Sequence, residues 1–138
     1  MNAPLYTTEI LRLAASLNGP RPLDREDGRA ELRSPTCGSR VTTAVALDDK
    51  GKVTALSQAV HACAFGQASS ALVEQGTIGR TEAQVEAALT DLEQWLGGSE
   101  YDPDWPGIAA LAPARSRKSR HGAILLPFRA LLAAMKSS

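Results

Sequence analysis

The chain has 138 residues, of which 43% are hydrophobic, so it is long enough to bury one core without disulfides or structural metals. Lysine plus arginine and aspartate plus glutamate each total 15, which gives a formal net charge of zero. This balance argues against nonspecific binding to nucleic acid or to an anionic membrane, and the length predicts a single domain over residues 1–138.

The first predicted element is an amphipathic helix over residues 6–17, in which isoleucine and leucine recur at helical spacing and Thr7 or Thr8 provides the N-cap. The next segment, residues 21–29, is polar and rich in proline, aspartate and glycine, which is typical of a loop. A short strand is predicted over residues 30–34.

A β-hairpin follows. Residues 41–47 are rich in β-branched side chains, residues 48–51 have the composition of a turn, and residues 52–60 form the return strand. Together with residues 30–34 they predict a three-stranded antiparallel sheet packed by helices, which is an α+β fold. Because the two strands of an antiparallel hairpin begin and end at the same end of the sheet, Cys37 before the hairpin and Cys63 after it are expected to be neighbours.

Cys63 is also expected at the N-terminus of a helix, because apolar residues recur at helical spacing from Ala64 until Gly76 ends the pattern. Unpaired N–H groups give a helix N-terminus a partial positive charge, which favours a thiolate over a thiol. This position ranks Cys63 above an inert core cysteine.

The clearest predicted helix begins with a capping box at Thr81 and continues to the Gly97-Gly98 pair. Residues 99–114 contain three prolines, which exclude a long regular helix, and three large side chains there are expected to pack against the core: Trp105, Ile108 and Leu111. The last helix is predicted over residues 119–135, with Pro127 in its first two turns or forcing a later start.

The two cysteines are predicted to be chemically active. The N-terminus lacks the basic and apolar regions of a secretory signal, and no segment is long enough to span a bilayer, so we expect a cytoplasmic protein. In that compartment, cysteines are more often free thiols, metal ligands or redox groups than structural disulfides.

The order of motifs resembles the NifU/IscU family of iron–sulfur cluster scaffolds, closest to its SufU-like branch. The similar features are Pro-x-Cys-Gly around Cys37, a strand hairpin, Cys-x-x-x-x-Ala-Ser-Ser from Cys63, and a final segment with Arg120 before Leu126-Pro127-Phe128. The resemblance implies a three-stranded antiparallel sheet packed by helices. It also implies a site of three cysteines and an aspartate that holds a nascent cluster or a zinc ion.

This chain departs from the family pattern at two positions. Ser39 stands where the family has its acidic residue, and Ala123 stands where the third cysteine is expected. The resemblance then leaves Cys37, Cys63 and His121 as candidate ligands for an iron–sulfur cluster or zinc, one fewer than the four that such sites usually need. His61 is a second candidate histidine, and Ser39 and Arg120 are candidates to orient a bound group through hydrogen bonds.

The leading hypothesis is a scaffold or accessory factor in iron–sulfur cluster assembly that holds iron, a cluster or sulfur transiently and turns over no substrate. Its expected partners are a cysteine desulfurase and recipient apo-proteins, and a second copy of the chain could complete the site. The alternatives are a metal-free persulfide relay and a degenerate paralogue that acts through protein contacts alone. The basic run at residues 115–120 is either a docking face for an acidic partner or a solvated loop.

Overall fold

The computed structural model describes residues 6–35 and 38–138. Residues 6–35 contain one helix and one strand. Helix α1 spans Thr8–Ala15 and strand β1 spans Gly28–Arg33. Strands β2 and β3 and helices α2 and α3 follow at Arg40–Leu47, Val53–His61, Ala64–Gly76 and Glu82–Leu96. A short 3₁₀ helix at Ile108–Ala114 leads into the long C-terminal helix α4, Lys118–Lys136.

The three strands form an antiparallel sheet in the order β1-β2-β3, which confirms the predicted fold class. The β2–β3 turn has the predicted chemistry, because the Asp48 carboxylate accepts hydrogen bonds from the backbone N–H groups of Lys50 and Lys52, each at 2.9 Å. Arg40 pairs with His61 at the opposite end of the hairpin. The loop that precedes β2 and the segment that follows β3 therefore lie at the same end of the sheet.

Strand β1 begins two residues earlier than the sequence predicts and ends at Arg33 instead of residue 34. Gly28 pairs with Val45, and a Cβ atom at Gly28 would collide with the Ala134 carbonyl oxygen of α4. Glycine at position 28 thus permits the close approach of the α4 backbone to β1. The composition of residues 21–29 instead predicts that Gly28 belongs to a loop.

Helices α2 and α4 pack together on one face of the sheet. Residues from α2, α3 and α4 dominate the main hydrophobic core, with fully buried side chains such as Phe65, Leu72, Leu92 and Ile124. The α2 boundaries and the capping box of α3 at Thr81 are as predicted. Within the described residues, no helix is both long and apolar enough to cross a lipid bilayer.

The prediction for Pro127 is wrong. The proline lies near the middle of α4, and the helix nevertheless begins at Lys118. Proline removes the N–H group that would bond to the carbonyl of Ala123, a loss that is tolerated when neighbouring groups support the helix. Here α2 supplies such support, because the Ser69 hydroxyl donates a hydrogen bond of 2.6 Å to the carbonyl oxygen of Ile124.

The proline-containing segment before α4 packs on the core as predicted. Trp105, Ile108 and Leu111 are all buried, and the Trp105 indole N–H donates to the carbonyl oxygen of Leu72 at 2.8 Å. The guanidinium of Arg80 lies over the Trp105 ring, 4.1 Å from its centre. These contacts fix the start of α4 relative to α2.

Candidate functional site

Cys63 is the N-cap residue of α2 and the second of the two residues that connect the end of β3 to this helix. Its backbone is extended (φ −67°, ψ 174°), and its carbonyl oxygen accepts a hydrogen bond of 2.9 Å from the Gln67 N–H. Its side chain makes no capping hydrogen bond and is half-buried, and the thiol is free among the described residues. The sulfur is therefore available at the positive end of a helix, as the sequence predicts.

The Cys63 side chain lines an open cleft of about 400 Å³ at this end of the sheet. Three segments build the cleft: the loop before β2, the end of β3 and the first turn of α2. Its lining residues are Gly38, Ser39, Val60, His61, Ala62, Cys63 and Gln67. We call this the Cys63 cleft.

Ser39 and His61 both reach the Cys63 cleft, whereas Cys37 lies outside the described residues. Ser39 is buried, and its loop is closed by a hydrogen bond of 2.9 Å from the Ser34 N–H to the Ser39 carbonyl. His61 is the last residue of β3 and is exposed. The structure thus brings together one thiol, one imidazole and one hydroxyl group.

His121, the other candidate ligand, lies elsewhere. Its Nε2 atom is 3.1 Å from the carbonyl oxygen of Ala114 and 3.0 Å from that of Arg115, so this nitrogen is assigned the proton that it donates. His121 lines a second cavity, next to the end of α3, and is not among the residues that line the Cys63 cleft. Arg120 is half-buried in the first turn of α4 and is likewise absent from the cleft lining.

Ala123, the position of the absent third cysteine, packs beside the first turn of α2. A Cβ atom at Gly66 would lie 3.5 Å from the Ala123 carbonyl oxygen and 3.9 Å from its Cβ. Gly66 lies one residue before Gln67 of the cleft and three residues after Cys63. The alanine at this position is buried, with 3% of its surface exposed.

The donor set at the cleft is small. Among residues 6–35 and 38–138, no group of three or more histidine, cysteine, aspartate or glutamate side chains is placed to hold a metal ion. Cys63 and His61 supply two donors of the kind that zinc and iron–sulfur clusters prefer, and such sites usually have four. The described residues of the cleft therefore supply fewer donors than a complete site of either kind.

Sequence reasoning missed Gln67. Its side-chain amide donates a hydrogen bond of 3.0 Å to the carbonyl oxygen of Ala62 and lines the Cys63 cleft. The available signal was its spacing, because a residue four places after a helix N-cap returns to the same side of the helix.

Neither a protein-family model nor a curated protein sequence matches the chain. Among solved structures, the N-terminal part of a NifU-like protein from Brucella abortus superposes with a TM-score of 0.87 and 31% identity, covering 96% of this chain and 93% of that chain. An iron–sulfur cluster assembly scaffold protein for the SUF system from Fervidobacterium islandicum AW-1 gives a TM-score of 0.82 at 22% identity, covering 95% and 96%. A hypothetical protein shares the fold with a TM-score of 0.72 at 23% identity, covering 93% and 96%.

Proposed function

Because this chain belongs to the family of NifU-like N-terminal domains, we propose that it is a scaffold or accessory protein of iron–sulfur cluster assembly. The single observation that carries the proposal is the position of Cys63. This free thiol sits at a helix N-terminus and opens into a cleft shared with His61 and Ser39. The scaffold is a carrier without turnover, and its cargo is iron, a nascent cluster or sulfur.

Cys63 binds the cargo as a thiolate in this proposal, and Cys37 is the second thiol by sequence. His61 adds an imidazole from the end of β3, and the buried Ser39 contributes a hydroxyl group where the family has a carboxylate. Fewer charged donors hold a cluster less tightly, which suits a protein that must pass it to a recipient.

A metal-free persulfide relay is the second candidate, and the small donor set favours it. In this reaction, the Cys63 thiolate attacks the outer sulfur of a cysteine desulfurase persulfide. The sulfur–sulfur bond of the enzyme breaks, its electron pair returns to the desulfurase thiolate, and that thiolate takes up the proton that Cys63 released. The products are a desulfurase thiol and a Cys63 persulfide, so no external oxidant is needed.

Anaerobic reconstitution with ferrous iron and sulfide tests the scaffold. The expected result is broad visible absorption that is lost in Cys63→Ser and reduced in Cys37→Ser. The matched control is Ser16→Ala at the C-cap of α1, two residues before Asn18, which binds Glu74 near the opposite end of α2. Mass spectrometry after mixing with a cysteine desulfurase and free cysteine tests the relay. Protein that stays colourless but gains one sulfur atom on Cys63 would replace the scaffold with the relay, and neither signal would refute both.

A further inference from the structure

The start of α4 carries positive charge where helices normally carry negative charge. Arg117 is the N-cap residue and makes no side-chain capping bond, Lys118 and Arg120 follow in the first turn, and that turn contains no acidic residue. Helix N-termini favour aspartate and glutamate, because the unpaired N–H groups there are partly positive. We call Arg117, Lys118 and Arg120 the basic patch.

None of these three cations forms an ion pair with another residue of 6–35 or 38–138. Six ion pairs connect other side chains in the described part of the chain, and none of them includes a member of the basic patch. Arg117 and Lys118 are exposed and Arg120 is half-buried. The patch therefore presents unpaired positive charge to solvent although the whole chain has a formal net charge of zero.

A cavity of about 490 Å³ with a mostly apolar lining adjoins the patch. Lys118 belongs to both, and Arg115 fixes the cavity wall by donating hydrogen bonds to the carbonyl oxygens of Trp95 (2.9 Å) and Ser99 (2.6 Å). The Arg115 guanidinium also lies 4.8 Å from the centre of the Trp95 ring. The lining residues are Leu96, Gly97, Gly98, Arg115, Ser116, Lys118 and His121.

The residues that follow the basic patch on α4 pack beside two of the segments that build the Cys63 cleft. A Cβ atom at Gly122 would lie 3.8 Å from the hydroxyl oxygen of Ser34, the residue whose backbone N–H closes the Ser39 loop, and Ala123 packs beside Gly66 of α2. A molecule bound at the start of α4 would thus lie at the same end of the protein as Cys63.

We propose that the basic patch and the adjoining cavity dock an acidic segment of a partner protein, with an apolar side chain of that segment in the cavity. Unpaired cations beside an apolar hollow match a peptide that combines carboxylates with a hydrophobic anchor. A nucleic acid fits less well, because the positive charge is confined to one helix start and the net charge is zero. The proposal rests on the proposed function only in that docking here brings the sulfur donor or cluster recipient to Cys63.

Fluorescence anisotropy with a short labelled peptide in which leucines alternate with pairs of glutamates tests the proposal. At low salt, Arg117→Glu/Lys118→Glu should weaken binding by about tenfold, because rim charges set much of the encounter and its salt dependence. Lys50→Glu/Lys52→Glu makes the same change in net charge at the opposite end of the sheet and should bind like the wild type. Acidic residues at a helix start are stabilising, so the first variant should unfold no more readily than the wild type.

The docking proposal is overturned if the peptide does not bind, if both double variants bind it equally, or if replacing its glutamates with glutamine leaves binding unchanged. A single-stranded oligonucleotide that binds more tightly than the peptide, with the same dependence on Arg117 and Lys118, would also overturn it. Reconstitution with iron and sulfide separates this result from the proposed function, because it needs no partner. Peptide binding without cluster uptake would refute the scaffold alone, and cluster uptake without peptide binding would refute the docking surface alone.

Discussion

Restoring the third thiol by Ala123→Cys should increase metal affinity. The Ala123 Cβ lies 3.9 Å from the position that a Cβ at Gly66 would occupy, so residue 123 packs closely against the first turn of α2. A sulfur atom at position 123 would lie beside the helix that Cys63 caps. The substitution therefore adds a sulfur donor next to the first turn of α2, the helix turn that contributes Gln67 to the Cys63 cleft.

The size of the effect follows from the binding energy of complete zinc sites. Four-ligand structural sites bind zinc with about 10–16 kcal/mol, which is about 2.5–4 kcal/mol for each ligand. Since about 1.4 kcal/mol corresponds to a tenfold change, one added thiolate should raise zinc affinity by roughly 10²–10³-fold. Competition against a chromophoric zinc chelator under anaerobic, reducing conditions measures this directly.

Two control variants make the test specific. Ala123→Ser adds a group of similar size without a thiolate, and Ala130→Cys adds a buried thiol farther along α4, in the cluster around Val41 and Leu126. Neither should increase zinc affinity appreciably. The reasoning is refuted if Ala123→Cys binds zinc no more tightly than Ala123→Ser, or if Ala130→Cys gains as much.

Three further predictions concern stability and are measured by urea unfolding. Gly76→Ala should lower the free energy of unfolding by about 1–3 kcal/mol, because its Cβ would lie 2.5 Å from the Trp105 indole nitrogen; unchanged stability would contradict that packing. Thr43→Val should raise it by about 1 kcal/mol, because the Thr43 hydroxyl is buried without a partner among the described residues; a loss of stability would mean that the hydroxyl is bonded. Hydrogen bonds from the Leu47 N–H to Asp27 and from the Lys52 N–H to Asp48 lower the pKa of both carboxyl groups, as do the charges of nearby basic side chains. The two carboxylates therefore stabilise the folded protein above the ordinary aspartate pKa of about 3.9, and this stabilisation is lost as the pH falls through their lower folded pKa values. Asp27→Asn should thus make the free energy of unfolding depend less steeply on pH in the acid range. An unchanged dependence on pH would contradict this assignment.

Local signals predicted the hairpin and the middle helices well. The turn at residues 48–51 contains both the aspartate that binds backbone N–H groups and the glycine with positive φ (Gly51, 79°). Thr81 and Gln84 form the capping box that sets the start of α3. These features depend on residues within a few positions of one another, and the sequence contains all of them.

Features that depend on distant contacts were not predictable in the same way. Gly28 lies in β1 next to the Ala134 carbonyl of α4, a contact between residues far apart in the sequence. Pro127 lies inside α4, where the Ser69 hydroxyl of α2 donates a hydrogen bond to the nearby Ile124 carbonyl. The hairpin topology was enough to bring Ser39 and His61 to the Cys63 cleft. The position of His121 depends on how the 3₁₀ segment folds back onto it, which spacing along the chain does not encode.

The most direct test of the account is the content of iron, zinc and acid-labile sulfide per chain in protein purified and kept without oxygen. The account predicts near-stoichiometric metal in the wild type, before or after reconstitution, and its loss in Cys63→Ser, with Lys50→Glu/Lys52→Glu retaining the wild-type content. Metal-free wild-type protein after reconstitution, or the same metal content in Cys63→Ser as in the wild type, would contradict the claim that the Cys63 cleft is the site that holds the cargo.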